Sequence, residues 1–428
     1  MRLNKLVLVA LAASALHPVM ADKPLPSRLH GYVGGPYKVL LADISGDRKL
    51  DLVLAYHQLG IVSIDRLGED GQLMSLAVNH FSDHNRRLNP DDASWSVPHV
   101  HNLAAGDLDG DGLVDLAFCV GGAGISKPGR VVLARNAGKG RLERMVEYLV
   151  PSEAKGIRLA DLDQDGTLDL LYTARGSGYP GDLSVGRLYI RAGMGDFKFG
   201  HATESPAGKS AYYVETADLN NDGHPDILVP NEHDSCVTFF INPGKQVFSA
   251  NKSLAPQILR VPQIPGKRSH AVNDVRAADI NGDGNQDVIT ANLGTSTVGI
   301  FLGTGEGSFS PGRLIEAGTN GAFLATGDLD ADGDVDFVIT HWTEDFASVF
   351  LNNGDGSFAA RRDYETGSGN YGVDVADLDG DGQLDIVTAN YRHKSASLLM
   401  GNGDGTFKAA VTVARGLRCN QGQWYSYP

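Results

Sequence analysis

The chain has 428 residues, 52 of them acidic against 37 Lys and Arg, for a formal charge of −15. It holds 53 Gly and 18 Pro but only three Cys, Cys119, Cys236 and Cys419, which permit at most one disulfide and leave open which two would pair. A disulfide-stapled scaffold is excluded, and the lack of a basic stripe argues against nucleic acid as a partner.

Met1–Ala21 reads as a secretory signal. Arg2 and Lys5 form its charged start, Leu6–Leu16 its apolar run, and Val19, Met20 and Ala21 a cleavage site. The apolar run is too short to span a bilayer. No cysteine lies near the cleavage point to carry a lipid, and no later segment is long and apolar. The expectation is an exported, monomeric protein of the periplasm or extracellular space, without a membrane span. Residues 22–36 follow as a segment whose Pro24–Pro36 stretch is a candidate for the strand that closes a ring.

Seven nine-residue acidic frames then recur, at Asp43–Asp51, Asp107–Asp115, Asp161–Asp169, Asp218–Asp226, Asp279–Asp287, Asp328–Asp336 and Asp377–Asp385. Calcium takes several oxygen ligands in flexible geometry, and a turn with acids at positions 1, 3 and 5 points three of them inward. Glycine at position 6 allows the sharp turn, and the closing acid falls at position 9, earlier than in an EF-hand. The first frame departs from this pattern: Ser45 is a weak ligand and Arg48 replaces the glycine. Weak binding or none is expected there.

The other six frames are complete, and about six calcium ions are expected. The ligands would be Asp107, Asp109, Asp111 and Asp115 in the second frame, and Asp161, Asp163, Asp165 and Asp169 in the third. Asp218, Asn220, Asp222 and Asp226 serve the fourth, and Asp279, Asn281, Asp283 and Asp287 the fifth. Asp328, Asp330, Asp332 and Asp336 follow in the sixth, then Asp377, Asp379, Asp381 and Asp385 in the last. With Asp43, Asp47 and Asp51 of the first frame, twenty-five of the 52 acidic residues sit at ligand positions in the seven frames, so the negative charge is mostly internal metal chemistry.

Frame starts are 64, 54, 57, 61, 49 and 49 residues apart, a period that signals a solenoid or propeller. The last unit shows the grammar. Tyr371–Ala376 is a strand entering the loop, Asp385–Asn390 leaves it, Ala396–Met400 is a third strand, and Phe407–Val413 a fourth after the Asn402–Gly405 turn. Four antiparallel strands per unit, seven times over, predict an all-β, seven-bladed propeller over residues 37–414, with a tail at 415–428. An aliphatic residue always stands four before the frame, and Ala or Gly just before it, as strands crowded around an axis require.

From roughly Pro36 to Ala414 the chain resembles the FG-GAP/VCBS repeat family and is similar to the propeller of integrin α subunits. The resemblance implies this fold and calcium in loops between the first and second strands. It implies little about biochemical role.

Every loop joins strand one to strand two, so the metals share one face. Extra loop length falls on the other, in Asn79–Asn102, Arg175–Gly186, Lys209–Tyr213 and Pro265–Asp274. Insertions on one face of a repeat array often mark the binding face. Six residues before each frame stand Tyr37, His101, Lys155, Tyr212, Asn273, Ala322 and Tyr371, expected to ring the channel mouth. Five after each closing Asp stand Tyr56, Val120, Ala174, Asn231, Asn292, His341 and Asn390, with Trp342 and Tyr391 one step on. The three Asn read as turn residues bonding local backbone, and His341 breaks their pattern. Arg158, Glu215, Arg276 and Asp374, three before the frame, read as ion pairs within the channel.

The candidate ligand-binding set is therefore His101, Tyr212, Tyr213, Asn273, His341, Trp342, Tyr371 and Tyr391. Its ligand would be a glycan or a protein. For His101 an ordinary structural role competes with ligand contact. A second reading is a lyase on uronic-acid polymers, using His101, Tyr213, His270, His341, Tyr371 and Arg392 to move protons and quiet a carboxylate. A third is a structural module of a larger envelope assembly. No nucleophile elbow or HExxH motif appears.

Overall fold

The computed structural model describes residues 33–57, 60–68, 73–81, 99–121, 128–176, 185–248, 253–267, 271–415, 417–420 and 423–426. Met1–Ala21, expected from sequence to be a signal, His270 and parts of the long loops at 79–102, 175–186 and 265–274 lie outside the described residues.

Seven four-stranded antiparallel sheets follow one another along the chain, each built from four consecutive strands. Blade one is Pro36–Ala42, Asp51–Tyr56, Ile61–Leu67 and Leu73–His80. Blade seven is Asn370–Ala376, Asp385–Asn390, Ser395–Leu399 and Val411–Arg415. The second strand of every blade is buried along its length, because neighbouring blades cover both sheet faces. Successive side chains point to opposite faces. Leu52 and Leu54 accordingly enter one seam with Val387 and Leu398 of blade seven, while Val53 and Ala55 enter the next with Leu116 and Phe118 of blade two. Seven apolar clusters result, one per seam, and the seventh closes the ring.

The small residue before each frame answers to this crowding. A Cβ on Gly106 would lie 2.4 Å from Leu168 Cδ1, and one on Gly327 would lie 2.7 Å from Leu384 Cδ1. Both leucines belong to the next blade's acidic loop.

Two features differ from expectation. The fourth strand of blade seven is Val411–Arg415 rather than Phe407–Val413, because Phe407 bridges back to Gly401 across the Gly-rich turn and buries its ring in the seam with blade six. Near the termini, Val33–Gly34 pairs with Leu417–Asn420, which pairs in turn with Gln423–Ser426. This three-stranded sheet stands apart from the blades, and the ring itself closes by side-chain packing.

Candidate functional site

The acidic loops are prefolded by their own carboxylates. The Oδ2 of the first Asp accepts the N–H of position 6, as from Gly112 at 2.9 Å and Gly223 at 2.8 Å. Position 6 is left-handed in every complete loop, for example φ 89° at Gly166 and 95° at Gly333, so glycine is required. The closing Asp is fully buried and holds two backbone donors. Asp169 accepts Leu162 N and Gly193 N, each at 2.8 Å, and five other loops repeat the pair. Burial pushes Asp169 up to about 7 and Asp226 up to about 6.

Carboxylate oxygens of Asp107, Asp109 and Asp115 lie within 4.8 Å of one another, as do those of Asp161, Asp163 and Asp169, of Asp328, Asp330 and Asp332, and of Asp377, Asp379 and Asp385. Asp163 Oδ1 and Asp330 Oδ1 are buried with no hydrogen-bond donor. A buried, unpaired carboxylate oxygen is costly, and a cation there would satisfy it. The donor set is all hard oxygen, which suits a calcium-type ion. In the fourth and fifth loops Asn220 and Asn281 donate to Asp222 and Asp283 at 2.9 and 3.0 Å.

On the loop face the axis opens as a cavity of about 530 Å³ lined by Arg158, Glu215, Asp218, Arg276 and Gln286 among others. Below it the expected ion pairs form. Arg158 meets Glu215 at 2.7 Å, and Arg276 meets Asp274 at 2.8 Å and Glu215 at 3.7 Å. Asp374 accepts Leu41 N at 2.9 Å.

The opposite mouth is plugged. Tyr37 stacks on Tyr371 with ring centroids 3.9 Å apart, and its hydroxyl meets that of Tyr212 at 3.3 Å. Lys155 Nζ lies 5.1 Å over the Tyr212 ring and 3.2 Å from His101 Nδ1. Tyr213 packs on Tyr212 and Phe323. Asn273 is buried, and its Oδ1 has no donor. These residues meet one another across blades, and most are buried rather than open to solvent.

Beside the plug lies a polar cluster that the ring positions alone did not reveal. His57, His99 and His101 pack ring against ring, with His57 and His99 centroids 4.2 Å apart and His57 and His101 4.8 Å apart. Glu153 Oε1 sits 2.9 Å from His101 Nε2 and 3.2 Å from Lys155 Nζ, and Oε2 sits 3.3 Å from Arg175. Arg175 continues to Glu232 at 2.5 Å. Burial, then the Lys155 charge, lowers His99 to about 4 and His101 to about 3. Burial and the two neighbouring histidines hold His57 well below its ordinary value. For Glu153, burial is outweighed by Lys155, His101 and Arg175, which hold its carboxyl far below the usual range. At neutral pH the three histidines are therefore neutral, and Glu153 is ionised among Lys155, His101 and Arg175.

A signal for half of this cluster stood in the sequence. Six residues after each closing Asp are His57, Gly121, Arg175, Glu232, Leu293, Trp342 and Tyr391. Strand alternation turns that series toward the mouth and the preceding one into the blade. The residue five after the Asp is buried, and where it is Asn it ends a strand and bonds across its own sheet rather than serving a turn: Asn231 to Thr238 at 2.9 Å, Asn390 to Ser397 at 2.7 Å. His341 does the same with Ser348 at 2.9 Å, and its other nitrogen meets Thr319 O at 2.9 Å. It is fully buried, away from the mouth cluster. Gly121 leaves room for His101, since a Cβ there would lie 2.5 Å from Nε2.

Trp342 and Tyr391 form the outer, half-exposed part of the mouth. Their rings are 15° from parallel with centroids 6.1 Å apart, Tyr371 stands edge-on to Trp342 at 4.3 Å, and the Arg392 guanidinium lies 4.8 Å over Trp342. Flat, half-exposed rings with a cation alongside suit a ligand that has an apolar face and polar edges.

Seven four-stranded blades with acidic first loops and a plugged axis define a repeat propeller. The family model described as FG-GAP-like repeat matches residues 107–172, 173–229, 279–339 and 328–388, together more than half of the sequence. The chain belongs to the FG-GAP-like repeat family. Comparison with curated proteins finds no sequence match. Among solved structures, it is similar to an Agrocybe aegerita lectin that recognises non-reducing terminal N-acetylglucosamine, with a TM-score of 0.54 at 19% identity over 88% of this chain and 94% of the lectin. A Lactobacillus plantarum protein aligns with a TM-score of 0.53 at 13% identity over 90% and 96%. Virginiamycin B lyase of Staphylococcus aureus gives 0.50 at 14% over 86% and 95%. Identities this low speak for the fold alone. Among the described residues, no helix is long and apolar enough to cross a membrane.

Proposed function

We propose that this chain is an exported, calcium-loaded recognition module that holds a glycan or protein ligand at the mouth opposite its acidic loops. The observation that carries the reading is the half-exposed pair Trp342 and Tyr391, set nearly parallel beside Arg392 and backed by the partly buried Tyr371 and the buried Tyr37. Aromatic faces stack on sugar rings, and a platform locked from behind loses little side-chain entropy on binding. The lectin among the similar structures is consistent with such a role. In the loops, calcium is the ion that all-oxygen donors at this spacing suit, and the orphaned oxygens of Asp163 and Asp330 support an ion there. Glycan-array binding by the calcium-loaded protein tests the reading. Binding that W342A and Y391A abolish supports it, and binding indifferent to both substitutions refutes it.

The convergence of His57, His99, His101, Lys155 and Tyr371 favours a second reading, proton transfer on a uronic-acid polymer. The neutral imidazoles can accept a proton, and because their lowered values make them weak bases, this reading needs a bound substrate that raises them. His341, held within its blade, takes no part, and His270 lies outside the described residues. Turnover of such polymers that H101A removes while W342A only weakens would select this reading over simple binding.

A further inference from the structure

The first acidic loop is not merely degraded; it already contains a cation. Arg66, on the third strand of blade one, lies directly opposite Asp51 in the sheet register. Its side chain is folded into the loop, 15% exposed. Nε and Nη2 donate to Asp51 Oδ1 at 2.9 and 2.7 Å, Nη1 to Asp47 Oδ2 at 2.5 Å, and Nη2 to Asp47 Oδ1 at 3.0 Å and to Ser45 Oγ. These are loop positions 3, 5 and 9, the donors a metal would take. Arg48, at the glycine position with φ 69°, is exposed instead.

In the other six loops, the corresponding oxygen of the closing Asp accepts a backbone N–H, from Asn136 at 2.8 Å through to Gly401 at 2.9 Å. The residue facing the closing Asp on strand three explains the contrast. In register it is Arg66, then Arg135, and afterwards Ala192, Ile241, Leu302, Leu351 and Met400. Arg135 also enters its loop, but less completely. Nε meets Asp109 Oδ2 at 2.8 Å and Nη2 meets Asp111 Oδ2 at 3.2 Å, with the side chain 41% exposed and Asp115 left to Asn136.

We propose that Arg66 and Arg135 are tethered cations that set which loops take metal. Arg66 closes loop one to calcium. Arg135 competes with calcium in loop two. Loops three to seven take the ion with no competitor. A guanidinium is always charged, matches carboxylates with its fork of donors, and cannot be chelated away. Being on the same chain, it competes at high effective concentration. Blade one is thereby a metal-independent start to the ring, its loop carrying a cation of its own whether or not calcium is present.

The inference rests on the reading that the loops bind calcium, and direct calcium titration by calorimetry separates the two. Wild-type protein is expected to show five sites of one class and a sixth that is weaker. R135A should strengthen that sixth site roughly fivefold, the scale of losing one half-exposed ion pair. R66A should lower the melting temperature in EDTA, where Arg66 is the counter-charge wild type keeps against Asp47 and Asp51. Grafting the complete pattern with S45D, R48G and R66L should add a seventh site. Six equivalent sites that R135A leaves unchanged overturn the tethered-cation account while the loop reading stands. No calcium binding in any variant overturns the loop reading itself.

Discussion

Tyr37 of blade one stacks on Tyr371 of blade seven, centroids 3.9 Å apart and planes 30° apart, across the seam where the ring closes. Among the described residues no blade borrows a strand from the far end of the chain, so side-chain packing at this seam joins the first blade to the last, helped by the Leu41 N–H bond to Asp374 and by the pairing of Val33–Gly34 with Leu417 and Arg418. Y37A should therefore cost about 3 kcal/mol in urea unfolding, the scale for truncating a buried aromatic ring. Y37F loses only the 3.3 Å hydroxyl contact to Tyr212 and should cost under about 1 kcal/mol. A double-mutant cycle with Y371A should reveal coupling between the two rings; strictly additive losses would mean the stack is incidental.

The mouth cluster should be acid-labile. The folded values of His57, His99 and His101 lie below the ordinary histidine value, so their contribution to stability is present above about pH 6.5 and falls as pH drops toward 4 and 3. Glu153 is depressed, so its contribution is present above its ordinary value near 4.5 and is lost on further acidification. Both act in the same direction. Urea melts at pH 7, 5.5 and 4.5 should show stability declining through this window, and H99F should flatten part of the decline. A rise in stability on acidification would contradict the neutral-imidazole assignment.

Two aspartates of one loop should fail differently. D169A strands the buried N–H groups of Leu162 and Gly193 and should cost about 2–5 kcal/mol whether or not calcium is present. D163A removes an oxygen that has no donor, so in EDTA it should be neutral or slightly stabilising. Its effect should appear as lost calcium-dependent stabilisation, about 2.7 kcal/mol for a site at a hundredfold excess over its dissociation constant. Thermal melts of both variants with calcium and with EDTA make the comparison.

His341 should behave as a structural residue. It occupies the place that Asn231, Asn292 and Asn390 hold in other blades, and it makes the same cross-sheet contact seven residues ahead. H341N should stay within about 1 kcal/mol of wild type, while H341A should cost about 2 kcal/mol by removing the imidazole contact to Thr319 O and one of the two partners of Ser348, which keeps Asp363. Loss of ligand binding in a stably folded H341N would place this residue in the site after all.

The acidic frames were legible because their chemistry is local: nine residues specify the turn, the glycine and the oxygens. The strands and the blade number followed from their spacing. Arg66 was not legible as a loop occupant, because it lies 15 residues beyond Asp51 and reaches it only through sheet register. The mouth was half legible. Tyr37, His101, Lys155 and Tyr371 stood in one ring series, yet His57, Arg175 and Glu232 belong to a second series one residue out of phase with the Asn repeat that drew attention. Strand parity, visible once the blades are built, decides which series faces the axis. His99 and Glu153 join from a third series, eight residues before the frame, which also supplies the Ser210 that bonds Arg175 and Glu232.

Calorimetric titration of a glycan identified on the array, against wild type, W342A and D163A in saturating calcium, tests the division of labour most directly. The account predicts that W342A weakens binding at least tenfold while D163A, still folded, binds as wild type does. Undiminished binding by W342A together with loss of binding in folded D163A would contradict it and move recognition to the face of the acidic loops.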